Sequence, residues 1–185
     1  KYSDYENRVW RLGMNVQFLT NWSLQADINV NDEFDPLYGS LNDVYFTYQS
    51  DEAFKLQLGR MKPLWGSQWR QSIKRLPYFE WGQLVNQLRP TRTVGASIAG
   101  RKDRWLYEAG IWSGDIDREF GNFDKGIFYT ASVGYDFTDS ISHVDQLEWH
   151  TDVYFNDTDR GAAAIAPYKF GISSYVHFAN GPFSF

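Results

Sequence analysis

Apolar and polar residues alternate one by one along most of this chain. Between 8 and 19 the apolar positions are Trp10, Leu12, Met14, Val16 and Phe18, separated by Arg11, Gly13, Asn15 and Gln17. Between 22 and 31, Trp22, Leu24, Ala26, Ile28 and Val30 alternate with Ser23, Gln25, Asp27 and Asn29. Successive side chains of a strand point to opposite faces, so each run predicts a strand with one apolar and one polar face. The same pattern recurs at 42–49, 53–62, 92–100, 105–113, 127–137, 147–155 and 169–178, and Pro182–Phe185 opens a tenth. No stretch carries the 3.6-residue period of a long helix.

The connections alternate as well. Thr20–Asn21, Ser50–Glu52, Arg101–Arg104 and Ala179–Gly181 are short, and they take turns with longer segments at 32–41, 63–91, 114–126 and 156–168. The link at 138–146 belongs with the short set by order, although it is longer. Short turns at one end and long loops at the other predict an antiparallel up-and-down meander. In a transmembrane β-barrel those ends are periplasm and cell exterior.

Which face is apolar decides the class. A β-sandwich turns its apolar rows toward a packed core dominated by branched aliphatics. Here the rows carry Trp or Tyr near their ends (Trp10, Trp22, Tyr48, Trp105, Tyr129, Tyr135), and the opposite rows carry charges and amides, as in Lys55–Gln57 and Glu148–His150–Asp152. That is the pattern of a lipid-facing band edged by aromatics around a water-filled interior. The expectation is therefore an all-β transmembrane barrel. The competing reading is a soluble β-sandwich or β-barrel that binds carbohydrate through exposed Trp and Tyr.

Composition narrows the picture without changing it. The chain has 185 residues, 18 % of them aromatic, and a net charge of −5. It contains no Cys, which excludes disulfides, thiolate metal sites and a Cys nucleophile. The acidic balance argues against a nucleic-acid partner. No stretch approaches the ~20 apolar residues of a spanning helix.

The segment Leu56–Gly100 resembles the phosphate-selective porin O/P family of bacterial outer-membrane channels. The residues that carry the resemblance are Leu58-Gly59-Arg60-Met61-Lys62-Pro63-Leu64-Trp65-Gly66 and Leu88-Arg89-Pro90-Thr91-Arg92-Thr93-Val94-Gly95. The sequence departs from the family pattern at Leu64-Trp65, where a Pro-Phe pair is usual, and at Glu80-Trp81, where an acidic-Arg pair is common. The resemblance implies a passive channel rather than an enzyme, without cofactors. It implies outer-membrane lipid, lipopolysaccharide and small anionic solutes as partners, and a homotrimer. Family barrels have about 16 to 18 strands. Nine to ten strands over 1–185 thus read as one porin domain, an internal piece of a longer barrel incomplete at both ends. A complete, narrow ten-stranded barrel is the alternative.

Charge segregation suggests where selectivity resides. Eleven basic residues and only two acids, Glu80 and Asp103, lie between 55 and 104. A water-filled pore with Arg and Lys at its narrowest level selects anions. The candidates for pore and anion binding are Arg60, Lys62, Arg70, Lys74, Arg75, Arg89 and Arg92. The connection 63–91 is the candidate constriction: it is far longer than a hairpin needs, and Pro63, Gly66, Pro77, Gly82 and Pro90 keep it from extending either strand. Its aromatics (Trp65, Trp69, Tyr78, Phe79, Trp81) would pin it to the inner wall and leave Arg70, Lys74 and Arg75 on the water path. An exposed loop contacting lipopolysaccharide phosphates is the alternative.

Other chemistry is thinner. Asp115, Asp117, Glu119 and Asp124, and Asp157 with Asp159, offer oxygen ligands of the kind calcium takes. The EF-hand pattern is absent, and solvated loop acids are the simpler reading. His150 between Glu148 and Asp152 has the residue types of a triad, yet such a row more simply forms a hydrogen-bonded wall. No metal site and no catalytic residue is expected. The sequons Asn21-Trp22-Ser23 and Asn156-Asp157-Thr158 are chance matches on a bacterial reading.

Overall fold

The computed structural model describes residues 10–31, 35–71, 82–116, 118–121, 123–158, 165–181 and 183–184. Ten strands form a single antiparallel meander in sequence order: β1 (Trp10–Leu19), β2 (Trp22–Val30), β3 (Tyr38–Gln49), β4 (Lys55–Met61), β5 (Thr93–Lys102), β6 (Trp105–Ser113), β7 (Ile127–Asp136), β8 (Gln146–Asn156), β9 (Phe170–Asn180) and β10 (Phe183–Ser184). β1 and β10 lie at opposite edges, so the sheet is open, as a section of a porin barrel would be.

The alternation predicts nine of these strands closely, and β3 departs most. It begins four residues earlier than the pattern at 42–49, because register shifts between Asp27 and Ile28 and between Asn29 and Val30 let it continue along β2 past a change of phase. Bulges of this kind hide a strand from a strict period-2 reading. The 138–146 link contains a 3₁₀ turn, Thr138–Ser140, and the Thr138 N–H at its start donates to the Asp136 carboxylate at 2.9 Å.

Registry places whole rows on one face. Leu12 is opposite Ile28, Phe46 opposite Leu58, Ile98 opposite Ala109, and Trp149 opposite Val176. These apolar rows are exposed: Leu12, Met14, Ile98, Ile172 and Val176 are each 45 % or more accessible. The buried residues include Asp152, Glu148, His150, Ser97, Thr93 and Thr130. Such an inversion of the ordinary burial order does not suit a protein whose apolar rows pack a core, and it suits a sheet bathed in lipid. At the short-turn end the apolar face carries an aromatic belt. Trp22 meets Tyr48 at 5.0 Å, Trp105 meets Tyr135 at 4.9 Å, and Tyr135 meets Phe137 at 4.7 Å between ring centroids.

A compact apolar core does exist, and it lies on the polar face at the long-loop end. Met61, Trp65, Trp112, Phe128, Tyr154, Ile165 and Ala166 pack together, with Tyr45, Leu88 and Ile116 against them. Met61 and Thr93 face one another across β4 and β5, Trp112 and Phe128 across β6 and β7. Trp65 comes from the long 62–92 connection, so this core joins that connection to the wall. Residues 165–166 seal it through Thr91 N–H donating to Ile165 O at 3.0 Å and Ile165 N–H to Gly114 O at 3.1 Å.

Candidate functional site: the basic connection on the polar face

The connection after β4 is built by local rules. Pro63 cannot extend the strand, and its carbonyl accepts the Trp69 indole N–H at 3.0 Å. Gly66 takes φ +75°, a left-handed conformation that favours glycine. It starts the single-turn helix α1 (Ser67–Arg70), closed by Arg70 N–H donating to Gly66 O at 3.2 Å. A second short helix, α2 (Gln83–Leu88), precedes β5, and Gly82 N–H donates to the Gln68 side-chain oxygen at 3.1 Å. Both described ends of the connection are thereby tied together.

Two charged groups leave this turn for opposite surroundings. The Arg70 guanidinium lies between two carboxylates of the polar face: Nη1 donates to Glu108 at 2.8 Å, while Nη2 and Nε donate to Asp152 at 2.9 and 3.2 Å. Asp152 is fully buried and also accepts the Gly66 N–H at 2.6 Å. Burial works against the Arg70 charge, but Glu108 and Asp152 more than offset it and hold its proton more tightly than usual.

Lys62 has other partners. Its ammonium donates to Trp69 O at 2.5 Å and Gln71 O at 3.2 Å, and lies 4.7 Å from the Trp69 ring centroid. The Arg89 guanidinium approaches the same ring to 4.4 Å, so one indole carries two cations. Arg92 pairs with Asp43 of β3 at 3.0 Å. Burial first, then repulsion from Arg92, Arg89 and Arg11 against attraction to Asp43, lowers the Lys62 ammonium to about 8. Burial and Arg92 likewise lower Arg89.

Arg60 sits opposite Val44 and Val94 in register, on the row of apolar residues rather than that of Gln57 and Met61. Its Nη1 donates to Glu119 O and its Nε to Leu41 O at 3.3 Å. The structure thus brings Lys62, Arg89 and Arg92 together, gives Arg70 to two carboxylates, and ties Arg60 to loop carbonyls. Lys74 and Arg75 lie outside the described residues, as do Tyr78, Phe79 and Trp81.

The partners of these cations were the part least legible in the sequence. Asp43 and Glu108 drew no notice there, since each is one acid in a strand. Asp152 stood out only as a neighbour of His150. Their signal was the polar-face phase they share with the rows already identified. Further along the same face, Arg101 pairs with Asp136 at 2.9 Å and Glu148 at 2.5 Å, and His150 lies 3.3 Å from Glu148 and stacks on Tyr175.

The loop acids are engaged locally. Asp115 faces Lys125 at 3.4 Å. Glu119 accepts from the Tyr38 hydroxyl and from Leu41 N–H, the latter at 2.7 Å, and both bonds hold its carboxyl below the ordinary range. Among the described residues no three His, Asp or Glu side chains converge to hold a metal ion. Asp117 and Asp159 lie outside the described residues.

No curated protein and no solved structure matches the chain. The family described as phosphate-selective porin O and P matches residues 1–142, from β1 through β7 and the basic connection. Strands β8 and β9 continue the same meander with the same inverted faces. Exposed apolar rows, a buried polar face and a match over most of its length converge: the chain belongs to the phosphate-selective porin O and P family of outer-membrane porins.

Proposed function

We propose that this porin passes small hydrophilic solutes by passive diffusion and prefers anions, with no covalent step and no cofactor. The observation that carries this reading is the convergence of Lys62 and Arg89 on the Trp69 ring, with Arg92, itself paired to Asp43, close enough to repel both. Among the described residues cations outnumber acids there, and a fixed positive field at a narrow aqueous level raises the local anion concentration. Arg supplies planar donors that fit phosphate oxygens in pairs, and Lys62 a point charge. Lys74 and Arg75 belong to the same 63–91 connection and extend the proposal to a constriction made by that whole segment. Contacts of the connection with residues of β6 and β8 on the polar face support an inward fold.

The strands fit one domain that forms part of a larger barrel, in contact with outer-membrane lipid and lipopolysaccharide, and assembled as a homotrimer. Chemical cross-linking of the native membrane, with the products sized by gel, tests the trimer. Planar-bilayer recording of the full-length protein in a salt gradient tests the preference. The reversal potential should lie on the anion side, and neutralising Lys62, Arg89 and Arg92 together with Gln should move it toward cations. A reversal potential that the triple variant leaves in place would put these residues off the conduction path.

A further inference from the structure

We infer that Arg70 is a positioning residue: it clamps the 63–91 connection against the wall of the lumen and so sets the width of the pore, without contacting the permeating anion. This rests on the channel reading above and specifies how its narrow level is held.

Four observations point to it. The first is the number of donors in use. Nε, Nη1 and Nη2 of Arg70 each donate to a carboxylate, and the two acceptors stand on different strands, Glu108 on β6 and Asp152 on β8. The planar fork spans both, which a lysine cannot do. The second is that Asp152 also accepts the Gly66 N–H. One buried carboxylate therefore holds both ends of α1, fixing the turn as a unit. The third is the charge balance. One guanidinium faces two carboxylates, and the neighbouring group is built alike, with Arg101 between Asp136 and Glu148. An arriving anion meets a surplus of negative charge here, whereas a binding residue needs the opposite. The fourth is access. The Asp152 side chain is 1 % exposed and that of Arg70 19 %, so the pair is closed to a hydrated solute from one side.

The clamp also explains how a single turn serves two purposes. Lys62 is tied to Trp69 O and Gln71 O, flanking Arg70 in the chain. Seating Arg70 on Glu108 and Asp152 therefore holds the Lys62 ammonium and the Trp69 ring where Arg89 reaches them. Removing Arg70 should free the connection to swing from the wall, while Lys62, Arg89 and Arg92 keep their charges on the same stretch of chain.

Single-channel recording of the full-length protein separates this role from direct binding. Arg70→Ala should raise the unitary conductance by on the order of twofold while the channel stays anion-preferring, as expected when a narrow segment is released but its charges persist. A residue that bound the anion itself would instead lower anion preference at unchanged conductance, and that result would overturn the clamp. If Arg70→Ala does not insert as a folded barrel, Glu108→Gln is read the same way and should give a smaller rise; no rise there refutes the clamp. An unmodified protein that conducts nothing would refute the channel reading beneath it.

Discussion

Arg70 and Lys62 both lie near the start of the connection after β4 and carry the same formal charge, yet their surroundings are opposites. Arg70 has two carboxylates and a tightened proton; Lys62 has two carbonyls, an indole, and Arg92, Arg89 and Arg11 against Asp43, and its ammonium falls to about 8. Burial opposes charge at both, so neighbours alone account for the difference. The comparison teaches that a run of basic residues is not one functional unit. A cation with acids on two strands holds structure, and a cation crowded by cations supplies a field.

Breaking the Arg70 side should have the largest effect on stability. Asp152→Ala removes two bonds to Arg70 and the acceptor of the Gly66 N–H. Leaving a buried partner uncompensated costs about 3–5 kcal/mol. The expected outcome is faster proteolytic cleavage within 63–91 and a lower unfolding temperature in detergent; resistance equal to the unmodified protein would show that the carboxylate is dispensable.

The core beside the clamp gives the next effect. A Cβ at Gly171 would lie 2.3 Å from the Tyr154 ring, which is buried against Trp65 and Phe128. Gly171→Ala should therefore strain the packing by about 1–3 kcal/mol, read as a lower thermal midpoint.

The Lys62 side is sharpened by pH. Lys62 is charged below about pH 8 and loses its proton as pH rises through that value. Anion preference should accordingly be full at neutral pH and weaken between about pH 7 and 9. Lys62→Arg, charged throughout, should abolish the pH dependence and keep the preference. A reversal potential flat over that range in the unmodified protein would sink the assignment.

The smallest effect tests the crowding itself. Arg92 is the leading charge that depresses Lys62, and Asp43 the leading one that raises it. Arg92→Gln should move the midpoint upward and Asp43→Asn downward. Partly exposed charges couple by under about 1 kcal/mol, so each move is less than about one pH unit. Equal midpoints in both variants would mean that burial alone sets the Lys62 proton affinity.

The sequence by itself determined the class of fold. Alternation is a local property, since each side chain's face follows from the pleat, and rows such as Leu12 to Phe18 needed no partner to be recognised. It determined the aromatic belt and the alternation of short and long connections for the same reason. It also marked the 63–91 connection as special through its length, its prolines and its surplus of Arg and Lys. Only the tertiary structure decided which acids meet which cations. Glu108 and Asp152 stand 38 and 82 residues from Arg70, and Asp43 stands 49 from Arg92. Those distances along the chain collapse only through the register of β3 to β8, and register is a sum over many cross-strand pairs that no single segment encodes. The early start of β3 has the same origin: two bulges broke the period locally, and pairing with β2 restored the strand. A charge is written in the sequence residue by residue, but its sign reaches a solute only through what lies within a few ångströms of it.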